Sequence, residues 1–246
     1  RHGFLFPGRD SGLFGTFYEI LVAAGGDLFA DDLAPRFDDP AGVYAADLLA
    51  ELHTRRRVTP RDLPALHYDE VSALFRRGDA AMVCDWPGSD HLYRNERSCV
   101  GAASFEVHPL PVGPTGARAA YGGCHAFAVP THAQNRDGAI ALLLALSSHE
   151  ARMYEARQGA IPVTTEALAQ IRREAECDPR ERRRLQLLES QMNDALIIPP
   201  RFAAYPACED ILWRAVQQVM LAEAPAREAL RSAAAAIGRI VRGTTP

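Results

Sequence analysis

Ten residues of this chain could hold a small molecule, and none of them belongs to a set that could transform one. Cys124 and His125 are adjacent in an alternating stretch, Cys124-His125-Ala126-Phe127-Ala128-Val129-Pro130. In a strand their side chains leave on opposite faces, which disfavours a nucleophile–base pair. The eight His show no H-E-x-x-H or other paired metal spacing, and the five Cys no C-x-x-C, so neither a metal nor a cofactor is expected. Asp85 and Asp90 imitate a glycosidase pair in type only, because nothing sets them across a bond. P-loop and G-x-G-x-x-G signatures are both missing.

The residues that remain suit non-covalent capture. Trp86 follows an apolar strand and sits on a turn, where an indole face offers stacking area at low entropic cost. Asp85 beside it is a ready acceptor for ligand hydroxyls. Gly122 and Gly123 would let a ligand approach the backbone closely, and Tyr121 before them stacks or donates. Asp10, Ser11 and Phe14 open a helix whose first amides are unpaired. Arg201 and Tyr205 set a fork of donors beside an aromatic ring. Each has a plainer reading: a packed Trp beside Pro87, a turn carboxylate, turn glycines, packed tyrosines, a capping loop over a core Phe, a surface Arg.

The elements that must position these residues follow from periodicity. Gly3–Pro7 reads as a short strand and Phe14–Ala24 as a helix. Asp39 caps a helix that opens with Pro40 and runs to about Thr54. Tyr68–Arg77 is helical, Gly78 stops it, and Ala80–Cys84 is a strand, apolar throughout and expected to be buried on both faces. Val100–Leu110 reads as a strand region, and the Gly122-Gly123 turn leads into the strand ending at Pro130. Helices are expected over 138–146, 150–157, 165–172, 179–195, 207–222 and 225–242. The sum is a helix-rich α/β chain with four or five short strands, spread in a way that suits a chain crossing between two lobes.

Composition narrows the class. Apolar residues make up 48%, enough for a real core, and the net charge of −4 has no basic block that would favour nucleic acid. The Arg180–Arg184 run is matched by acidic neighbours and reads as a solvated helix face. There is no lysine, every strong base being Arg. No apolar run reaches the ~20 residues of a membrane span. Disulfides between Cys84 and Cys99 or between Cys177 and Cys208 are open possibilities, and buried single thiols are the expectation for Cys84 and Cys124.

Four segments in register resemble the extracellular solute-binding proteins of sugar-type ABC importers, the maltose-binding-protein-like family. They are Gly3–Arg9 with Phe17 and Gly25–Phe29; Phe75–Met82 with Asp85-Trp86-Pro87-Gly88; Gly122–Pro130 with the Asn135 loop and the following helix; and Gly159–Val163 with the two closing helices. The resemblance covers nearly the whole chain and matches the C-terminal part of the family. It implies a two-lobed α/β periplasmic-binding-protein fold, present as a fragment lacking most of the first lobe, about 130–150 residues. Residues 1–114 would be the first part of the second lobe, 115–150 a segment returning to the first lobe, and 151–246 the rest of the second lobe. Hinges are expected at Pro109–Thr115 and Ser147–Glu150. The implied job is capture of a sugar or polyol outside the cytoplasmic membrane, periplasmic or lipid-anchored, and its delivery to an ABC permease, without catalysis. Two alternatives stay open: a glycan-processing enzyme with Asp85 as acid, and a ligand-free scaffold or sensor module on the same fold. The family often carries a large aromatic after the glycine pair, where this chain has Cys124-His125.

Overall fold

A computed structural model of the chain describes residues 1–102, 104–123 and 126–244. The architecture is built on helices, most of which bury residues in shared cores, with two short parallel strand pairs among the described residues. Strand β1 (His2–Leu5) leads into α1 (Asp10–Ala23) and α2 (Pro40–Ala50), which ends in a π-helical turn, Glu51–Arg55. Asp39 caps α2, its side chain accepting from the Gly42 N–H at 2.9 Å, with Pro40 at the first helical position where its missing N–H costs nothing. Then come α3 (Tyr68–Arg76), β2 (Ala80–Val83), the short α4 (Asp90–Tyr93) and β3 (Ala120–Tyr121). The second half holds α5 (Arg136–Leu146), α6 (His149–Arg157), α7 (Thr165–Glu174), α8 (Pro179–Asp194), β4 (Leu196–Ile197), α9 (Tyr205–Met220) and α10 (Ala226–Thr244).

β1 pairs with β2 in parallel, Phe4 opposite Met82, and β3 pairs with β4 in parallel, Tyr121 opposite Ile197. Both pairings join strands far apart in sequence, so the helices between them serve as crossovers. The main core gathers Leu5, Phe6, Phe14, Phe17, Leu21, Leu49, Val216, Leu230 and Ile237 from β1, α1, α2, α9 and α10. A smaller core, Met153, Ala156, Ala167, Ile171 and Leu185, knits α6, α7 and α8.

Several expectations are corrected. β2 is not buried on both faces: Ala81 and Met82 are exposed, Met82 at 60%, so no layer covers them among the described residues. The described residues of Val100–Leu110 form no strand. They start in turns and continue without regular structure, with Glu106, Val107 and His108 exposed. The strand near the glycine pair is Ala120–Tyr121, upstream of the expected stretch; Ala126–Pro130 is irregular, and Cys124 and His125 lie outside the described residues. Cys84, Cys99, Cys177 and Cys208 are all free thiols, so neither disulfide forms.

The arginine run on α8 is solvated apart from Arg184. That side chain is buried (4% exposed) and held by Glu181 through Nε at 3.0 Å and Nη2 at 2.6 Å. Asp90, also buried, lies 3.9 Å from its Nε. The pair ties α8 to α4, the short helix after Trp86. Among the described residues, no helix is long and apolar enough to cross a membrane.

Candidate functional site: an aromatic wall

Trp86 leaves β2 in extended conformation and enters a 3-10 turn, Pro87–Ser89. Asp85 fixes that exit. Its Oδ1 accepts the Trp86 N–H at 2.7 Å, and the Tyr93 hydroxyl donates to its Oδ2. Burial raises the Asp85 carboxyl, while the bonds from Tyr93, Trp86 and Ser89 hold it down. Asp85 therefore faces its own turn and orients Trp86.

The half-buried indole stands between two tyrosines. Its centroid is 5.6 Å from Tyr68, the first residue of α3, and 5.8 Å from Tyr121 on β3. Tyr121 meets Phe14 edge-on at 5.7 Å, and Phe14 meets Tyr205, at the start of α9, at 6.2 Å. Tyr205 continues to Phe202 at 5.8 Å. The result is a continuous band of rings in tilted and edge-to-face contacts, the geometries that aromatic quadrupoles favour.

Bare backbone makes room for this band. A Cβ on Gly12 would come within 3.2 Å of the Tyr68 ring, and one on Gly15 within 2.7 Å of Tyr121. These glycines lie one turn apart on α1 and give the rings a flat seat. On the other side Gly123 lies against the indole, its Cβ position 3.8 Å from Cη2 of Trp86.

Electrostatics keep the band neutral. Burial first, then the Asp27 and Tyr121 charges, raises Tyr18 to about 12. Burial likewise lifts Tyr68 and Tyr121. Tyr205 is raised by burial and by Glu209 one turn along α9. At neutral pH all four hydroxyls are donors and acceptors, not charges.

The ten sequence candidates separate on this framework. Trp86, Tyr121 and Gly123 come together, with Ser11 at the Tyr68 hydroxyl, and Tyr205 joins them through Phe14. Phe14 is 1% exposed and lies behind the wall, as core packing requires. Gly122 spends its N–H on Ile197 O at 2.9 Å, and a Cβ there would strike Leu196 at 2.3 Å. It is therefore a close-packing glycine between β3 and β4, with no amide left for a ligand. Asp10 takes a left-handed backbone, φ 52°, and pairs with Arg9 at 2.6 Å. Arg201 is exposed, pairs with no carboxylate among the described residues, and lines an open concavity of about 540 Å³ with Ile198, Phe202 and Tyr205.

Tyr68, Phe202 and Glu19 were not singled out from sequence. Glu19 left a signal: it is the one charged residue of α1 beyond its first turn, four after Gly15.

A second open concavity of about 410 Å³ lies among α4, α6, α7 and α8. Its charges are largely spent on each other: Arg157 grips Glu174 through two bonds, and Asp178 caps α8.

Residues 6–153 match the family of bacterial extracellular solute-binding proteins. The chain belongs to that family. Solved structures of solute-binding proteins share its fold. A maltose-bound MalE3 of T. maritima matches with a TM-score of 0.83 at 25% identity, over 97% of this chain and 60% of that one. A ribitol complex of an ABC transporter solute-binding protein from Agrobacterium radiobacter K84 matches at 0.81 and 19% identity, over 98% and 60%. The GacH receptor of Streptomyces glaucescens, solved with acarbose, matches at 0.76 and 18%, over 99% and 60%. The fold is thus that of the periplasmic binding proteins, and this chain spans about 60% of the length of those relatives. A comparison with curated proteins finds no match.

Proposed function

We propose that this chain forms one wall of a cleft that captures a sugar or related polyol outside the cytoplasmic membrane and hands it to an ABC import permease. The observation that carries this reading is the ring band Tyr68–Trp86–Tyr121, continued by Tyr205 and Phe202. Half-exposed rings give flat apolar area to the C–H face of a sugar, and polar groups at the rim meet its hydroxyls. Trp86 and Tyr121 are the stacking pair in this reading. Gly123 lets the ligand lie close, Ser11 and Arg201 supply donors, and Asp85 orients the indole. The three structural relatives, bound to maltose, ribitol and acarbose in their own structures, support the ligand class. Family membership supports capture without turnover.

In the same reading, residues 115–150 pack into a first lobe that closes over the wall, with hinges at Pro109–Thr115 and Ser147–Glu150. The support is α5: none of its residues is buried, although its sequence is apolar on every face. A helix of that kind belongs inside a core. The greater length of the relatives supports the same view.

Calorimetry with maltose, acarbose and ribitol tests the proposal. Saturable heat with at least one of them is expected. No heat with any, together with release of product from a glycoside, would favour an enzyme on this fold.

A further inference from the structure

The β3 strand has two edges. Toward β4, Ala120 N–H donates to Ala195 O at 2.8 Å and Gly122 N–H to Ile197 O at 2.9 Å. The Tyr121 N–H between them points the other way, where a third strand would lie. Among the described residues no strand is there. A side chain takes the place: Glu19 of α1 accepts the Tyr121 N–H on Oε1 at 2.9 Å. One turn earlier, Gly15 leaves the gap that the Tyr121 ring fills. Glu19 and Gly15 together hold both ends of Tyr121, its amide and its ring, on the face of one helix.

We propose that Glu19 is a positioning residue of the solute site, its carboxyl replacing a third strand on β3 and so fixing the Tyr121 ring against Trp86. What the wall binds rests on the function proposed above; how the wall is held does not. A two-residue strand has little register of its own, and a buried amide without an acceptor is costly, so one side-chain acceptor here governs where the ring stands.

The site also gives Glu19 an unusual titration. Burial pushes its carboxyl up to about 7, against the Tyr121 amide, which lowers it. The titratable groups facing it are Tyr121 on β3, Tyr68 on α3 and the Cys84 thiol after β2, all raised by burial and none a cation. Ionised, Glu19 makes a charge-assisted bond to the amide; protonated, it makes a weaker one. The seat of Tyr121, and the surroundings of Trp86 beside it, should therefore change across neutral pH.

The test is tryptophan emission from about pH 5.5 to 8.5 for the wild type, Glu19→Gln, Glu19→Ala and Trp86→Phe. The other indole, Trp213, donates to Asp210 and lies under the Arg214 guanidinium, and serves as background. The wild type should show an emission change with its midpoint near pH 7. Glu19→Gln keeps the acceptor and should be flat, and Trp86→Phe should lose the change. Maltose or ribitol affinity should stay within about twofold of the wild type in Glu19→Gln and fall about tenfold in Glu19→Ala. A wild-type emission that does not change with pH, or a transition that survives in Glu19→Gln, overturns the proposal even if Glu19→Ala fails to fold. The emission pattern without any solute binding would leave Glu19 in this role and remove the proposed function instead.

Discussion

The helix α1 and the helix α5 are alike in composition and opposite in fate. Both are short, mainly apolar, and nearly free of charge beyond their first turns, α1 through Phe, Leu and Tyr and α5 through Leu and Ala. In α1, Leu13, Phe14, Phe17, Tyr18 and Leu21 are all buried, packed on α2, α9 and the strands. In α5 nothing is buried, Leu144 stands 68% exposed, and Phe127 upstream is 80% exposed. Propensity and apolar spacing make both segments helical, but only a partner surface makes a helix part of a core. The difference leaves α1 inside a core and α5 with an apolar surface, the one that a first lobe would cover in the function proposed above.

The comparison breaks most easily at Phe17, which is fully buried. Phe17→Ala should lower stability by about 4 kcal/mol, through lost burial and the cavity left behind. Urea unfolding measures it, and a loss near zero would mean that α1 is not the frame.

A smaller effect sharpens the role of Glu19 within that frame. Its folded-state pKa is raised from 4.5 to about 7, so the folded protein keeps a proton that the unfolded chain has released. Stability relative to Glu19→Gln should match below the unfolded value, fall as pH rises from there to about 7, and level off above it. The difference at about pH 8 should be at most about 3 kcal/mol, since the group is not wholly enclosed. Paired unfolding curves at pH 5 and 8 (roughly either side of the window) read it, and parallel curves would contradict it.

The smallest expected change is at α5. Leu144→Ala should alter the stability of this chain by less than about 0.5 kcal/mol, because the side chain already meets water. If a first lobe is supplied and α5 docks in it, the same substitution should cost about 2–3 kcal/mol. Equal small effects in both settings would detach α5 from any lobe.

Much of this frame could be read from local rules. Asp39-Pro40 announces the start of α2, and the structure bears it out. Trp86 and Tyr121 stand out in the sequence as aromatic candidates for one cleft, and the structure brings their rings to 5.8 Å. What sequence could not carry was long-range pairing. β2 reads as a two-sided strand because Ala80–Val83 is apolar, yet burial needs neighbours that periodicity cannot count. Gly122 and Gly123 look interchangeable, and only the approach of Leu196 to one and Trp86 to the other separates them. Glu19 was missed because its partner, the Tyr121 amide, is 102 residues away. Arg184 was read as solvated because nothing local reveals that Asp90 lies beneath it.

The central claim, that the ring band is the solute-binding face, meets its most direct test at Trp86. Trp86→Ala should weaken binding of whichever of maltose, acarbose or ribitol the wild type holds by about 1–3 kcal/mol, a magnitude taken from nucleic-acid bases stacked on aromatic side chains. Because the indole is half-buried, thermal unfolding should show that the variant still folds. Unchanged affinity in a folded Trp86→Ala protein would contradict the account.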